Sequence, residues 1–161
     1  MPHGPDRTLR GRMRIVNGRG VLARALIRLL RLPRASDAAD LRLDIAADSE
    51  GEWWRRTFEG VSVTTRQLRP GAGLLVERFG LLEFSFRVVS ERTETRYEQM
   101  TVSMRLARVA LGLPAALAPT VAGWERKRDA GWTEVRVRIE WPPAGLILEY
   151  DGAVHAEDPH G

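Results

Sequence analysis

The residues best suited to chemistry are an arginine set between aromatics and an adjacent acid–base pair. Arg56 lies between Trp54 and Phe58 at strand spacing, and Glu77 stands beside Arg78 ahead of Phe79-Gly80. Side chains of a strand alternate between its faces, so Trp54, Arg56 and Phe58 share one. A guanidinium on an inward face is costly unless paired, so an Arg56 pair with Glu77 or Glu149 is the expected arrangement. Such a pair could fix the head group of a bound molecule. The other reading is a solvent face or a structural ion pair.

Catalytic hardware is otherwise sparse. The chain has no cysteine, which excludes disulfides, thiolate catalysis and thiolate zinc sites. Its three histidines, His3, His155 and His160, sit outside the periodic region or at its edge. None is placed to act as the base of a triad. His155 and His160 alone make a weak metal set, so neither metal nor cofactor is expected. Acids such as Glu83, Glu149 and Asp151 fall on strand patterns, but paired-carboxylate chemistry needs a separation that sequence does not define. Gly18-Arg19-Gly20-Val21-Leu22-Ala23 mimics a dinucleotide fingerprint, yet no parallel βαβ unit follows it. The balance is against an enzyme.

The elements that must position these residues are short and mostly strands. Residues 9–16 read as a first strand, followed by an Asn17-Gly18-Arg19-Gly20 turn. Residues 21–32 read as a helix ended by Pro33, with an apolar stripe of Leu22, Ala25, Leu26, Leu29 and Leu30. Arg24, Arg28 and Arg31 form its basic stripe. Packing onto, or capping, the open end of a sheet is the expected role of that helix, with its Arg face free for a membrane surface. Alternation then marks strands around Leu41-Leu43-Ile45, Trp54-Phe58, and residues 61–68, 74–79 and 82–88. Residues 92–99 and 101–109 carry weaker strand signals. After a Leu-Pro-rich break and one expected helical turn at 115–118, two strong strands close the chain, one with Val135, Val137, Ile139 and Trp141 facing inward. The other presents Leu146, Leu148, Tyr150 and Val154 on one face.

Such regular spacing predicts a mainly β fold of about ten antiparallel strands in a lipocalin-like barrel or strongly curved sheet, with one amphipathic N-terminal helix. An α+β, helix-grip-like curved sheet is the alternative. A single domain is expected over residues 1–161, with 1–8 and 156–161 as loose tails. Net charge is +4, but residues 1–36 hold nine arginines against one acid, Asp6, while the rest is acidic in balance. The basicity is therefore local, which suits an anionic surface or an acidic partner. Arginine outnumbers lysine 24 to 1, a bias that a GC-rich genome also produces, and no nucleic-acid motif is present, so nucleic-acid binding is not expected. The start carries no apolar leader and residues 21–32 are too short and charged to span a bilayer, so a cytoplasmic soluble protein is expected.

Several runs resemble a known family. They are Arg10-Gly11-Arg12, the turn and helix from Gly18 to Pro33, Trp54-x-Arg56-x-Phe58-x-Gly60, Val76-Glu77-Arg78-Phe79-Gly80 and the run from Leu111 to Pro119. Together they resemble a bacterial family termed domain of unknown function 4166, over nearly the whole chain. The resemblance implies no established activity. Members occur fused to or beside short-chain or saccharopine-dehydrogenase-like reductases and near small membrane proteins. It thus implies an accessory domain whose reductase partner is a separate chain.

Two functions follow as expectations. The first is a non-enzymatic domain holding a small apolar or amphipathic ligand. Its candidate contacts are Trp54, Arg56, Phe58, Glu77, Arg78, Phe84, Phe86, Trp141 and Tyr150. Arg24, Arg28 and Arg31 are candidate contacts to a membrane or partner. The alternative is a protein-interaction domain serving a separate reductase or a membrane-associated partner.

Overall fold

Alternating strands with short reversals can bury one face only by curling the sheet, and closure removes its edges. The computed structural model describes residues 5–107 and 109–157. Its elements are β1 (Arg7–Asn17), α1 (Val21–Leu29), β2 (Ser36–Ala47), β3 (Glu52–Phe58), β4 (Val61–Gly71), β5 (Leu74–Phe79), β6 (Leu82–Glu91), β7 (Glu94–Leu106), β8 (Val109–Gly112), β9 (Thr120–Lys127), β10 (Trp132–Trp141) and β11 (Gly145–Ala156). All pairings are antiparallel. Ten strands form a closed ring in chain order, β11 returning to β1, and β8 pairs with the last residues of β7 on the same edge that β9 takes along its first ones. This is the mainly β, lipocalin-like barrel with one helix, not the helix-grip alternative.

The elements depart from the sequence reading in instructive places. Arg7 and Thr8 pair with Ile45 and Asp44, and Ala156 pairs with Leu9, so these residues are strand rather than tail. The remaining expected tail at 1–4 and 158–161 lies outside the described residues. Residues 92–99 and 101–109 are not two strands: β7 runs through them as one, and a register shift opposite Ser85 and Phe86 absorbs the break. β9 was not expected. Its cavity-facing positions include Val121, Gly123 and Glu125, so it lacks an apolar face to read.

The helix ends earlier than Pro33, and its buried stripe is a different one. Arg31 turns left-handed at φ 50°, Leu32 donates to the Ile27 carbonyl at 2.9 Å, and Arg31 donates to that of Arg28 at 3.2 Å. This is a Schellman closure, with Leu32 buried beyond it. Ala23 and Ile27 are the buried helix residues, while Leu22, Leu29 and Leu30 of the expected stripe are exposed. Eight of the ten residues from 21 to 30 are apolar, so periodicity alone offered more than one face to bury.

The seam between β1 and β11 depends on glycine. A Cβ at Gly152 would sit 2.0 Å from the Arg12 carbonyl oxygen and 2.7 Å from Met13 Sδ. Both contacts are far inside van der Waals range, so only glycine lets the two backbones approach there. Gly152→Val is expected to lower stability by about 3 kcal/mol or more in denaturant unfolding. Gly112→Ala, where nothing lies within 4 Å of the added carbon, should stay near wild type. Equal effects of the two changes would refute the seam argument.

Candidate functional site

The ring is wide enough that its side chains do not fill it. Two apolar clusters form instead. One gathers Met13, Ile15, Phe58, Leu148 and Tyr150 with the helix residues, and the other gathers Leu75, Phe84, Phe86 and Val102. Between them lies a cavity of about 440 Å³, within the size range of small-molecule sites.

Of the nine candidate contacts, seven line this cavity: Trp54, Arg56, Phe58, Glu77, Phe84, Phe86 and Tyr150. Their aromatics order one another. Phe58 meets Tyr150 edge-on at 5.4 Å between centroids, and Phe84 stacks on Phe86 at 6.3 Å. The Arg56 guanidinium lies 5.2 Å from the Trp54 ring centroid.

Arg78 and Trp141 do not belong to the lining. Glu77 faces inward, so its neighbour Arg78 faces out, where its Nε donates to Glu83 at 2.7 Å. Trp141 packs against the first apolar cluster at the helix end and its Nε1 donates to the Leu117 carbonyl at 2.9 Å. It pins the 113–119 loop rather than facing the cavity.

A polar cluster sits among the apolar walls. Arg56 donates to Thr65 Oγ1 at 2.9 Å and to Glu77 Oε1 at 3.3 Å. Tyr97 donates to Glu125 Oε1 at 3.0 Å. Burial opposes the charge on Arg56, yet the Glu77 carboxylate, by its charge and its hydrogen bond, holds its pKa above the ordinary value. Burial pushes the Tyr97 hydroxyl well up, and Glu125 adds to this. Burial likewise raises Tyr150, with Arg56 acting against it. Both phenols are therefore neutral hydrogen-bonding groups. Tyr150 and Gln67 are 8% and 7% exposed and line the cavity, and among the described residues their side-chain polar atoms have no hydrogen-bond partner.

Sequence reasoning missed Thr65, Gln67, Tyr97 and Glu125. Parity on β4 could have found Thr65 and Gln67, which follow Val63 at spacing two. Tyr97 stands among polar neighbours and Glu125 is a charge on a strand without an apolar face, so neither carries such a signal.

Glu149, the other expected partner of Arg56, lies on the outer face. It is 6% exposed and accepts from Arg136 at 3.0 Å and Arg138 at 2.8 Å. Those bonds, Arg138 first, hold its carboxyl below the ordinary 4.5. The basic groups of the expected membrane or partner contact, Arg24, Arg28 and Arg31, are exposed on and just after α1, and none lines the cavity. No group of acids and histidines among the described residues could hold a metal ion, and no helix among them is long and apolar enough to cross a membrane. β1 and β2 flank α1 as antiparallel neighbours, so the glycine turn before it is not part of a dinucleotide-binding unit.

Two stability tests follow from these pairs. Glu77→Leu leaves Arg56 buried without its carboxylate and should cost about 3 kcal/mol. The Arg56→Met/Glu77→Leu double variant should recover much of that, and a double-mutant cycle in urea reads the coupling. Glu149 has a lowered folded pKa, so its contribution is present above pH 4.5 and is lost as pH falls through the folded value. Glu149→Gln should therefore lower stability by about 1 kcal/mol at neutral pH, a deficit that closes on acidification. A deficit that persists at acid pH would contradict this.

The model of a family described as "Domain of unknown function (DUF4166)" matches residues 3–154. No curated protein matches the chain.

Proposed function

We propose that this chain, which belongs to the DUF4166 family, is a binding domain that holds one small amphipathic molecule inside its barrel. The observation that carries this reading is the 440 Å³ cavity with mostly apolar walls and a few convergent polar groups. A domain that needed only stability would gain from filling such a space, since cavities are destabilising.

The polar groups bear on what is held. Inside the cavity the charge of Arg56 is answered by Glu77, while Glu125 accepts from the neutral Tyr97 hydroxyl. A carboxylate placed beside Arg56 would meet Glu77 and Glu125 at low dielectric and be repelled. The unpartnered groups, Tyr150 Oη and the Gln67 amide, are neutral. The reading is therefore an uncharged head bearing a hydroxyl or carbonyl, with an apolar body against Leu75, Phe84 and Phe86.

Leu32 and the fully buried Pro33 close the cavity at the helix end. Arg7 and Arg69, both exposed, line it at the opposite end, which makes that end the route of entry.

Native mass spectrometry of gently purified protein, followed by organic extraction, tests the reading. A discrete added mass that extracts as an apolar neutral compound is expected. Dodecanol should raise Tm more than dodecanoate does, and Tyr150→Phe should weaken dodecanol binding about tenfold. A clean apo mass together with no response to either probe would sink the binding role. Preference for dodecanoate would overturn the neutral head.

A further inference from the structure

The two ends of the barrel differ sharply in character. Strand direction alternates around the ring, so the reversals after β1, β3, β5, β7 and β10 share one end with α1, and the others share the opposite end. Among the described residues, ten of the thirteen exposed large hydrophobics lie at the α1 end, counting those of β8. Val21 and Leu29 of the helix are each 77% exposed, and Leu22 and Leu30 flank them. Leu81 projects from the β5–β6 reversal, and Leu117 from the 113–119 loop. Monomeric proteins rarely gather so much exposed apolar surface on one face without a use for it.

Charge at this end is predominantly of one sign. Residues 18–35 hold Arg19, Arg24, Arg28, Arg31 and Arg34 and no acid. None of the five makes an ion pair among the described residues, whereas Arg10, Arg12 and Arg14 of β1 are answered by Glu157, Asp40 and Asp151. The reversals 80–81, 113–119 and 142–144 carry no charge at all, and Glu59 is the one acid in the reversals of this end. The opposite end mixes both signs, with Asp48, Glu50 and Asp129 alongside Arg92 and Arg128.

From this pairing of exposed apolar side chains with unanswered arginines, we propose that the α1 end of the barrel docks onto an anionic lipid surface. The apolar residues of α1, Leu81 and Leu117 enter the acyl boundary, and the arginines meet the lipid phosphates. A protein partner of matching shape would have to supply both an apolar groove and a surplus of acids, while an anionic bilayer supplies both everywhere. Docking in this pose leaves the Arg7–Arg69 end of the cavity facing the aqueous side. The proposal stands apart from the binding role, since no residue named for docking lines the cavity.

Vesicle cosedimentation tests it. The probe is phosphatidylcholine vesicles with about one third phosphatidylglycerol, against pure phosphatidylcholine. Wild type should partition onto the anionic vesicles, and raised salt should release it. Val21→Glu/Leu29→Glu and, separately, Arg24→Glu/Arg28→Glu should each lower partitioning by about tenfold or more, because each removes one of the two attractions. All four positions are exposed, so Tm and circular dichroism should stay as in wild type. Equal binding to both vesicle types, no binding to either, or wild-type partitioning of the Val21→Glu/Leu29→Glu variant would overturn the proposal. So would a dimer in light scattering that this variant dissociates, since the face would then be an interface between copies.

Discussion

Closure of the ring is the constraint on which the rest depends. Ten antiparallel strands meet only because β1 and β11 approach closely at Gly152, where the Arg12 carbonyl occupies the space of a side chain. A ring of this size encloses more volume than its inward side chains fill. The two apolar clusters are the two walls of that shortfall, and the cavity is what remains between them. An open sheet with the same residues would have placed Arg56 and Glu77 in water. Closure makes their pairing obligatory.

Polar groups within the cavity and on the outer wall follow one rule with different consequences. Outside, Glu149 is nearly covered yet lies between two half-exposed arginines, so its bonds strengthen the β10–β11 pairing at modest desolvation cost. Inside, Arg56 and Tyr97 are held by acids in a space where charge is costly. Tyr150 and Gln67 keep unused hydrogen-bonding capacity in that space, which natural interiors seldom leave idle. The ends of the barrel extend the contrast. One end is stoppered by Leu32 and Pro33 and surfaced with leucine and arginine, while the other is rimmed by charge and open to the cavity.

Much of this is legible in the amino-acid sequence. Strands with a full apolar face, such as the one bearing Leu82, Phe84 and Phe86, announce themselves by alternation. Trp54, Arg56 and Phe58 share a face because parity within a strand is strict, and the same parity sends Glu77 inward and Arg78 outward once one of them is placed. Where the inward set is Val, Gly and Glu, as on β9, alternation has no contrast and the strand goes unread. Trp141 shows a different limit. Its parity matches the inward face, but it stands at the end of its strand, where the indole reaches a loop instead of the interior.

Most of the strands, the absence of thiol chemistry, the local basicity of the N-terminal part and the pairing need of Arg56 are legible from residue type and period alone. Contacts across the closed ring settle which carboxylate answers Arg56, that Tyr97 and Glu125 join the same cluster, and which face of α1 is buried. These depend on contacts across 20 residues or more of chain, such as the 21 between Arg56 and Glu77 and the 28 between Tyr97 and Glu125. They are set by ring register and by the angle at which the Schellman turn delivers Leu32 to the barrel end, and no local pattern encodes either.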